Sequence, residues 1–212
     1  MTSTAPAARR SSVRSLVEAT AGRFISDLQA GFLADRPAAV GALAQLRRGA
    51  GKLPGQVPEL WGVTGTEQLF HDQSLSGDDT RAERAEVGFF VAVTLYALHQ
   101  QSQGTPMHKT GEDLGQGIRR LMPRGEIDET IRRRFVRVGT AATADVLAYR
   151  LREVISLLRN GAIPLDYGRL AGQLYLAQTP DGMSQVRRDW GRSFHTYKTG
   201  ADDGASTDKD TA

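Results

Sequence analysis

VGFFVAVTLYAL, residues 87–98, is apolar throughout except for Thr94. A helix needs roughly 20 apolar residues to cross a hydrocarbon core, so these twelve do not span a membrane. They lack the alternation of a half-buried strand. A helix apolar on every side belongs in the middle of other helices. Upstream, Gly77-Asp78-Asp79 leads into Thr80-Arg81-Ala82-Glu83, a capping-box pattern predicted to start this helix. Its end is predicted before Gly104.

Outward from this segment the helical period continues in both directions. A helix is predicted from Ser11–Ser12 to about Ala34, with Leu16, Phe24, Leu28 and Phe32 on its apolar side. Pro37 is placed as the first residue of a short helix through Leu46. GKLPGQVPEL (51–60) is a loop by its glycines and prolines. On the C-terminal side, GTPMHKTGED (104–113) is predicted to be an interdomain connection or mobile loop. Helices then follow near 113–122, 127–139, 143–159, 166–178 and 180–198. Asn160-Gly161 is a stop signal, and Asp166 and Thr179-Pro180 are start signals. The fold class is all-α: two small helical-bundle lobes, 12–104 and 113–198, with a loop connection. Residues 1–11 are predicted to be a disordered arm and 199–212 an acidic disordered tail.

Composition narrows the function. The chain contains no cysteine, which removes disulfides, thiol nucleophiles and thiolate metal sites and fits a reducing, cytoplasmic setting. The N-terminal MTSTAPAARRSS has no apolar segment behind it, so no secretory signal is predicted. Phosphate-loop, nucleophile-elbow and H-E-x-x-H patterns are missing. Gly111, Gly115 and Gly117 lack the strand context of a nucleotide fingerprint, and the spacing of His71-Asp72 to His99, His108 and His195 is not that of a metal site. No catalytic residue, cofactor or metal is expected.

The net charge of +3 conceals a more basic body. The last fourteen residues hold four Asp and one Lys, so residues 1–198 carry +6. Arginine outnumbers lysine 23 to 4, and its planar fork suits bidentate phosphate contact. Seven arginines fall in residues 119–137 against Glu126, Asp128 and Glu129. In IRRRFVRVGTA (131–141), Ile131, Phe135 and Val138 share one helical face with the preceding Ile127. Arg133 and Arg137 project oppositely, with Arg132 and Arg134 on the flanks. Arg119 and Arg120 adjoin the apolar set Leu114, Ile118 and Leu121. In the last helix Met183, Val186, Trp190, Phe194 and Tyr197 form an apolar stripe, with Arg188, Arg192 and His195 opposite. A solvated face explains any one of these arginines; several basic faces together point to a phosphate-binding surface. The dipole of a helix C-terminus alone accounts for Arg47 and Arg48. The segment 157–175 is a poor helix-turn-helix, because its second helix exposes little beyond Asp166, Arg169 and Gln173.

The succession LGQGIRRL (114–121), IRRRFVRV (131–138), LREVISLLRN (151–160), IPLDYGRLAGQLY (163–175) and VRRDWGRSF (186–194) resembles the CasB family, the small subunits of type I-E CRISPR Cascade complexes. ALAQLRRGAGKLPGQVPELWGVT (42–64) and LYALHQQS (95–102) fit too, so the resemblance covers roughly residues 40–195. It implies a helical, non-enzymatic subunit that sits as a pair on a guide-RNA ribonucleoprotein. Such a subunit contacts the backbone and large subunits and holds the target and displaced DNA strands of the R-loop without sequence preference. Carried onto this chain, the family's basic positions are Arg47, Arg48, Arg132, Arg133, Arg134 and Arg152. Two other readings stand beside it: a free-standing helical DNA-binding regulator, and a structural adaptor whose arginines face protein carboxylates.

Overall fold

The computed structural model describes residues 12–197, and the expected arm (1–11) and acidic tail (199–212) lie outside them. Nine α-helices are present among the described residues: α1 (Val13–Leu33), α2 (Pro37–Leu46), α3 (Glu67–Phe70), α4 (Asp79–Gln100), α5 (Leu114–Arg120), α6 (Glu129–Gly139), α7 (Ala144–Asn160), α8 (Tyr167–Ala177) and α9 (Gly182–Thr196). Short 3-10 turns fill residues 47–49, 54–56, 58–60 and 73–75. The all-α class expected from the sequence is observed. Among the described residues no helix is long and apolar enough to cross a membrane, and no three His, Asp or Glu side chains gather to hold a metal ion.

Local capping chemistry sets most boundaries. Ser12 accepts a hydrogen bond from the Ser15 amide, and Asp166 accepts one from the Arg169 amide, so each opens its helix. Pro37 occupies the first turn of α2. The start of α4 differs from expectation: Asp78 caps it, its carboxylate taking the Arg81 amide at 2.9 Å. Thr80 therefore lies inside the first turn. Before α9, the cap position is Asp181 in a left-handed conformation, and the Thr179 hydroxyl turns back to the Leu176 carbonyl to close α8. The short helix α3 carries no periodicity that announces it.

The apolar segment of α4 is enclosed as its composition requires. Phe89 through Ala97 are all buried, and α1, α2, α7 and α8 pack around them. On α1 the fully buried line is Val17, Ala21 and Ile25, while Leu16, Phe24, Leu28 and Phe32 cover its margins. Small residues bring helices close: a Cβ on Gly168 of α8 would sit 2.8 Å from the Glu18 carbonyl of α1. One continuous apolar core therefore includes α1–α4 and α5–α9.

The connection at 104–113 is stitched to both halves. Gln29 of α1 takes the His108 amide at 2.8 Å and donates to the His108 carbonyl at 3.1 Å. Residues 107–109 run parallel to Leu165, with Leu165 N donating to Met107 O and Lys109 N to Leu165 O. The Asp166 carboxylate then takes the Gly111 amide at 2.8 Å.

Beneath this connection lies a buried polar cluster. His99 Nδ1 and the Tyr167 hydroxyl are 2.8 Å apart, and His108 Nδ1 accepts from the Tyr167 amide at 3.2 Å. His99 Nε2 is buried without a hydrogen-bond partner, and the Leu158 and Ile163 carbonyls lie near the ring. Burial pushes the His99 imidazole down from 6.5 to about 4; the Arg159 charge acts the same way, against the pull of those carbonyls. His108 is also lowered, chiefly by burial, against the pull of Asp166. A histidine whose folded pKa is depressed adds stability that is complete above pH 6.5 and lost as the pH falls towards 4. At 1.36 kcal/mol per unit, His99 accounts for about 3 kcal/mol across that window. Thermal melts should show this loss between pH 6.5 and 4, and His99→Gln should flatten that part of the profile. An unchanged slope in the variant would contradict the assignment.

Candidate nucleic-acid interface

The basic surface is built on α6. Asp128 caps the helix, taking the Thr130 and Ile131 amides at 2.8 and 3.0 Å. Val138 is buried, Ile131 is half-buried, and the half-buried Phe135 stacks on Phe194 of α9 with ring centroids 5.6 Å apart. Ile127, expected on the same face, is 46% exposed because the helix begins only at Glu129. With this seam inward, Arg132, Arg133, Arg134 and Arg137 are all exposed.

Their engagements differ. Arg132 grips Glu129 through Nε at 2.9 Å, and this contact raises the arginine's pKa and lowers the carboxylate's. Arg133 Nε donates to the Glu129 carbonyl at 3.2 Å. Among the described residues Arg133, Arg134 and Arg137 form no ion pair.

On α9, Val186, Trp190 and Phe194 are buried and Met183 and Tyr197 half-buried, so the expected stripe is core. Arg188, Arg192 and His195 are exposed opposite it. Arg119 and Arg120, at the end of α5, are half-buried and already engaged. Arg119 donates to the Pro123 carbonyl at 3.1 Å, and Arg120 pairs at 3.1 Å with Glu112, which also takes Lys109.

A second basic group forms from distant parts of the chain. The turn after α2 carries half-buried Arg47 and exposed Arg48. Gly49 lets this turn lie flat on α4, since a Cβ there would sit 2.7 Å from the Thr94 methyl. Gly51, at φ +82°, then passes under Arg152 of α7, whose Cδ would be 2.9 Å from a Cβ on the glycine. The turn that carries Arg47 and Arg48 thereby passes beside Arg152, and exposed Lys52 follows Gly51 in it. The other flank of α7 is tied to α6, where the Arg150 guanidinium donates to the Arg137 carbonyl. The basic elements thus neighbour one another in the order turn 47–52, α7, α6, α9. Lys52, Arg150 and Arg187 also lie on these elements, Arg150 meeting the Arg137 carbonyl and Arg187 lying beside Gly139.

The second helix of the 157–175 segment is α8, and it is core. Tyr167, Gly168, Leu170, Ala171, Gly172, Gln173 and Leu174 are buried. Gln173 accepts from Trp190 Nε1 at 2.8 Å, and Arg169 pairs with the buried Asp113 at 3.0 Å. No face of α8 is left to enter a DNA groove.

Comparison with known proteins agrees with the succession of motifs. The profile of the CRISPR-associated protein Cse2 family matches residues 42–195. The chain belongs to the Cse2 family. Among solved structures, CasB from Thermobifida fusca is similar to this Cse2-family chain at 47% sequence identity with a TM-score of 0.77, covering 85% of this chain and 98% of that one. Comparison with curated proteins returns no match. The Cse2 profile ends at 195, so it takes in α6, α7 and all but the last residue of α9, and it begins just before Arg47 and Arg48. Every arginine discussed above lies within it.

Proposed function

We propose that this Cse2-family chain is a non-catalytic small subunit of a cytoplasmic type I-E Cascade. In this role it sits with a second copy on the guide-RNA ribonucleoprotein, touches the backbone and large subunits, and holds the target and displaced DNA strands of the R-loop. The observation that carries the strand-holding role is the set of exposed arginines on α6 and α9 that form no ion pair within the described residues. Exposed guanidinium groups on rigid helices offer phosphates a fixed, sequence-blind surface. Arg119 and Arg120 stand at its edge, since a strand would have to compete with their present partners.

The energetics suit a subunit acting on a tethered strand. A few phosphate contacts bind free single strands weakly. On a strand already paired to a guide, effective concentration is high and the same contacts act intramolecularly. Exchange between the DNA duplex and the guide heteroduplex is nearly balanced, so a small bias keeps the strands apart.

The group Arg47, Arg48 and Arg152 gives a direct test. Each phosphate contact to a single strand contributes about 0.7 to the slope of log affinity against log salt. Replacing all three with glutamine should lower that slope by roughly 2 for the full chain binding a single-stranded oligonucleotide. An unchanged slope would remove this group from the interface. Release of the variant from the assembled complex at unaltered strand affinity would favour the adaptor reading.

A further inference from the structure

Between α6 and α9 runs a groove of about 230 Å³. α6 contributes Phe135, Val136 and Gly139, and α9 contributes Arg187, Trp190 and Gly191. Polar groups are nearly absent from its walls. The Trp190 N–H is spent on Gln173, and the hydroxyl of the adjoining Thr140 is spent on the Val136 and Arg137 carbonyls. Arg187 is the remaining donor there. The glycines keep the space open: a Cβ on Gly191 would meet nothing within 4 Å, and one on Gly139 only the Arg187 Cγ at 3.8 Å.

The rim is basic. Arg188 and His195 lie three residues before and four after Gly191 on α9, and both are exposed. Arg133 and Arg137 are exposed on α6, and Arg132 lies one turn before Val136. Pockets for drug-sized ligands run ~300–1,000 Å³, so this one is on the scale of a single planar ring. An apolar slot with an arginine at its edge, bordered by cations, matches a nucleobase whose phosphates rest on the rim.

We propose that this groove takes one unpaired nucleobase of the held strand, packed against exposed Val136 and half-buried Phe135 with the Arg187 guanidinium over its edge. The inference rests on the strand-holding reading and deepens it. A slot that offers no pattern of donors and acceptors accepts any base, so it adds affinity without sequence preference. It also gives the strand a fixed register on a surface that phosphates alone would let it slide along.

The test compares an oligothymidylate with an abasic strand of the same length, each binding the full chain at one salt concentration. The wild type should bind the thymidylate roughly tenfold more tightly. Gly191→Leu, which fills the groove, should bring the thymidylate to the abasic value and leave abasic binding unchanged. Gly139→Leu fills it from the other wall, and either variant that melts like the wild type carries the test. Equal affinity of the wild type for both strands would overturn the groove and leave the phosphate surface standing. So would a thymidylate preference that survives in the filled variants, including variants that keep it but no longer assemble with partner subunits. Failure of the wild type to bind either strand would remove the phosphate surface and the groove with it.

Discussion

Replacing Gly115 with alanine is expected to separate α5 from α9 and lower the melting temperature by about 10 °C. Its Cβ would fall inside contact distance of the Trp190 carbonyl and the Ser193 hydroxyl, and 2.7 Å from the Phe194 amide nitrogen. Two of these atoms are backbone in the middle of α9, so no side chain can swing away. The neighbourhood is also tied together: the buried carboxylate of Asp113 takes the Gly115 amide at 3.3 Å and the Ser193 hydroxyl at 2.9 Å, and pairs with Arg169. Relief by moving one helix would break that hub and loosen Trp190. Overpacking typically costs 1–3 kcal/mol, and a backbone clash belongs at or above about 3. For a chain of this size that shifts the melting temperature by about 10 °C. Gly41→Ala is the control, because Gly41 sits in α2 with nothing within 4 Å of its added Cβ. It should be neutral or raise stability by about 0.5–1 kcal/mol through helix propensity. Similar melting of both variants would show that the close approach of α5 and α9 is not as described.

Reversing two charges on α6, Arg133→Glu with Arg137→Glu, is expected to weaken strand holding by roughly tenfold or more while leaving the fold intact. Six to ten phosphate contacts typically lose about 10³–10⁵ in affinity between 50 and 200 mM salt, which is about half a decade each. Reversal removes two contacts and adds two repulsions. Stability should scarcely change, since both side chains are exposed and form no ion pair within the described residues. Arg133→Gln with Arg137→Gln should lose less than the reversal and restore part of the affinity at low salt. A loss that tracked helix content rather than charge would point to damaged packing instead.

What the sequence disclosed follows from which interactions are local. Caps at Ser12 and Asp166, the stop at Asn160-Gly161 and the inward seams of α6 and α9 are written within a few residues of where they act. Thr80 misled because Asp78, two residues earlier, offers a carboxylate to the same first turn. Pairings across the chain left no such mark. Nothing in the period of α1 announces that it lies along α8, because the fit depends on the small surfaces of Gly22 and Gly168 meeting at one crossing. Gly115 invited comparison with nucleotide loops, whereas it clears the path of α9. Of the arginines, exposure on α6 and α9 was legible from the helical wheel. The capture of Arg120 by Glu112 and the gathering of Arg152 over Gly51 depend on tertiary approach. The groove lined by Arg187 exists only where two helices lie side by side.

On the strand-holding proposal the chain acts chiefly in company: its contacts are weak singly and indifferent to sequence, and specificity comes from the guide that delivers the strand. The most direct measurement is the lifetime of an R-loop held by complexes reconstituted with either the wild-type chain or the Arg133→Glu/Arg137→Glu variant, with subunit stoichiometry read on the same samples. The strand-holding account predicts full assembly with the variant and an R-loop that closes roughly tenfold or more faster, the difference narrowing as salt is raised. Equal lifetimes in fully assembled complexes would contradict it.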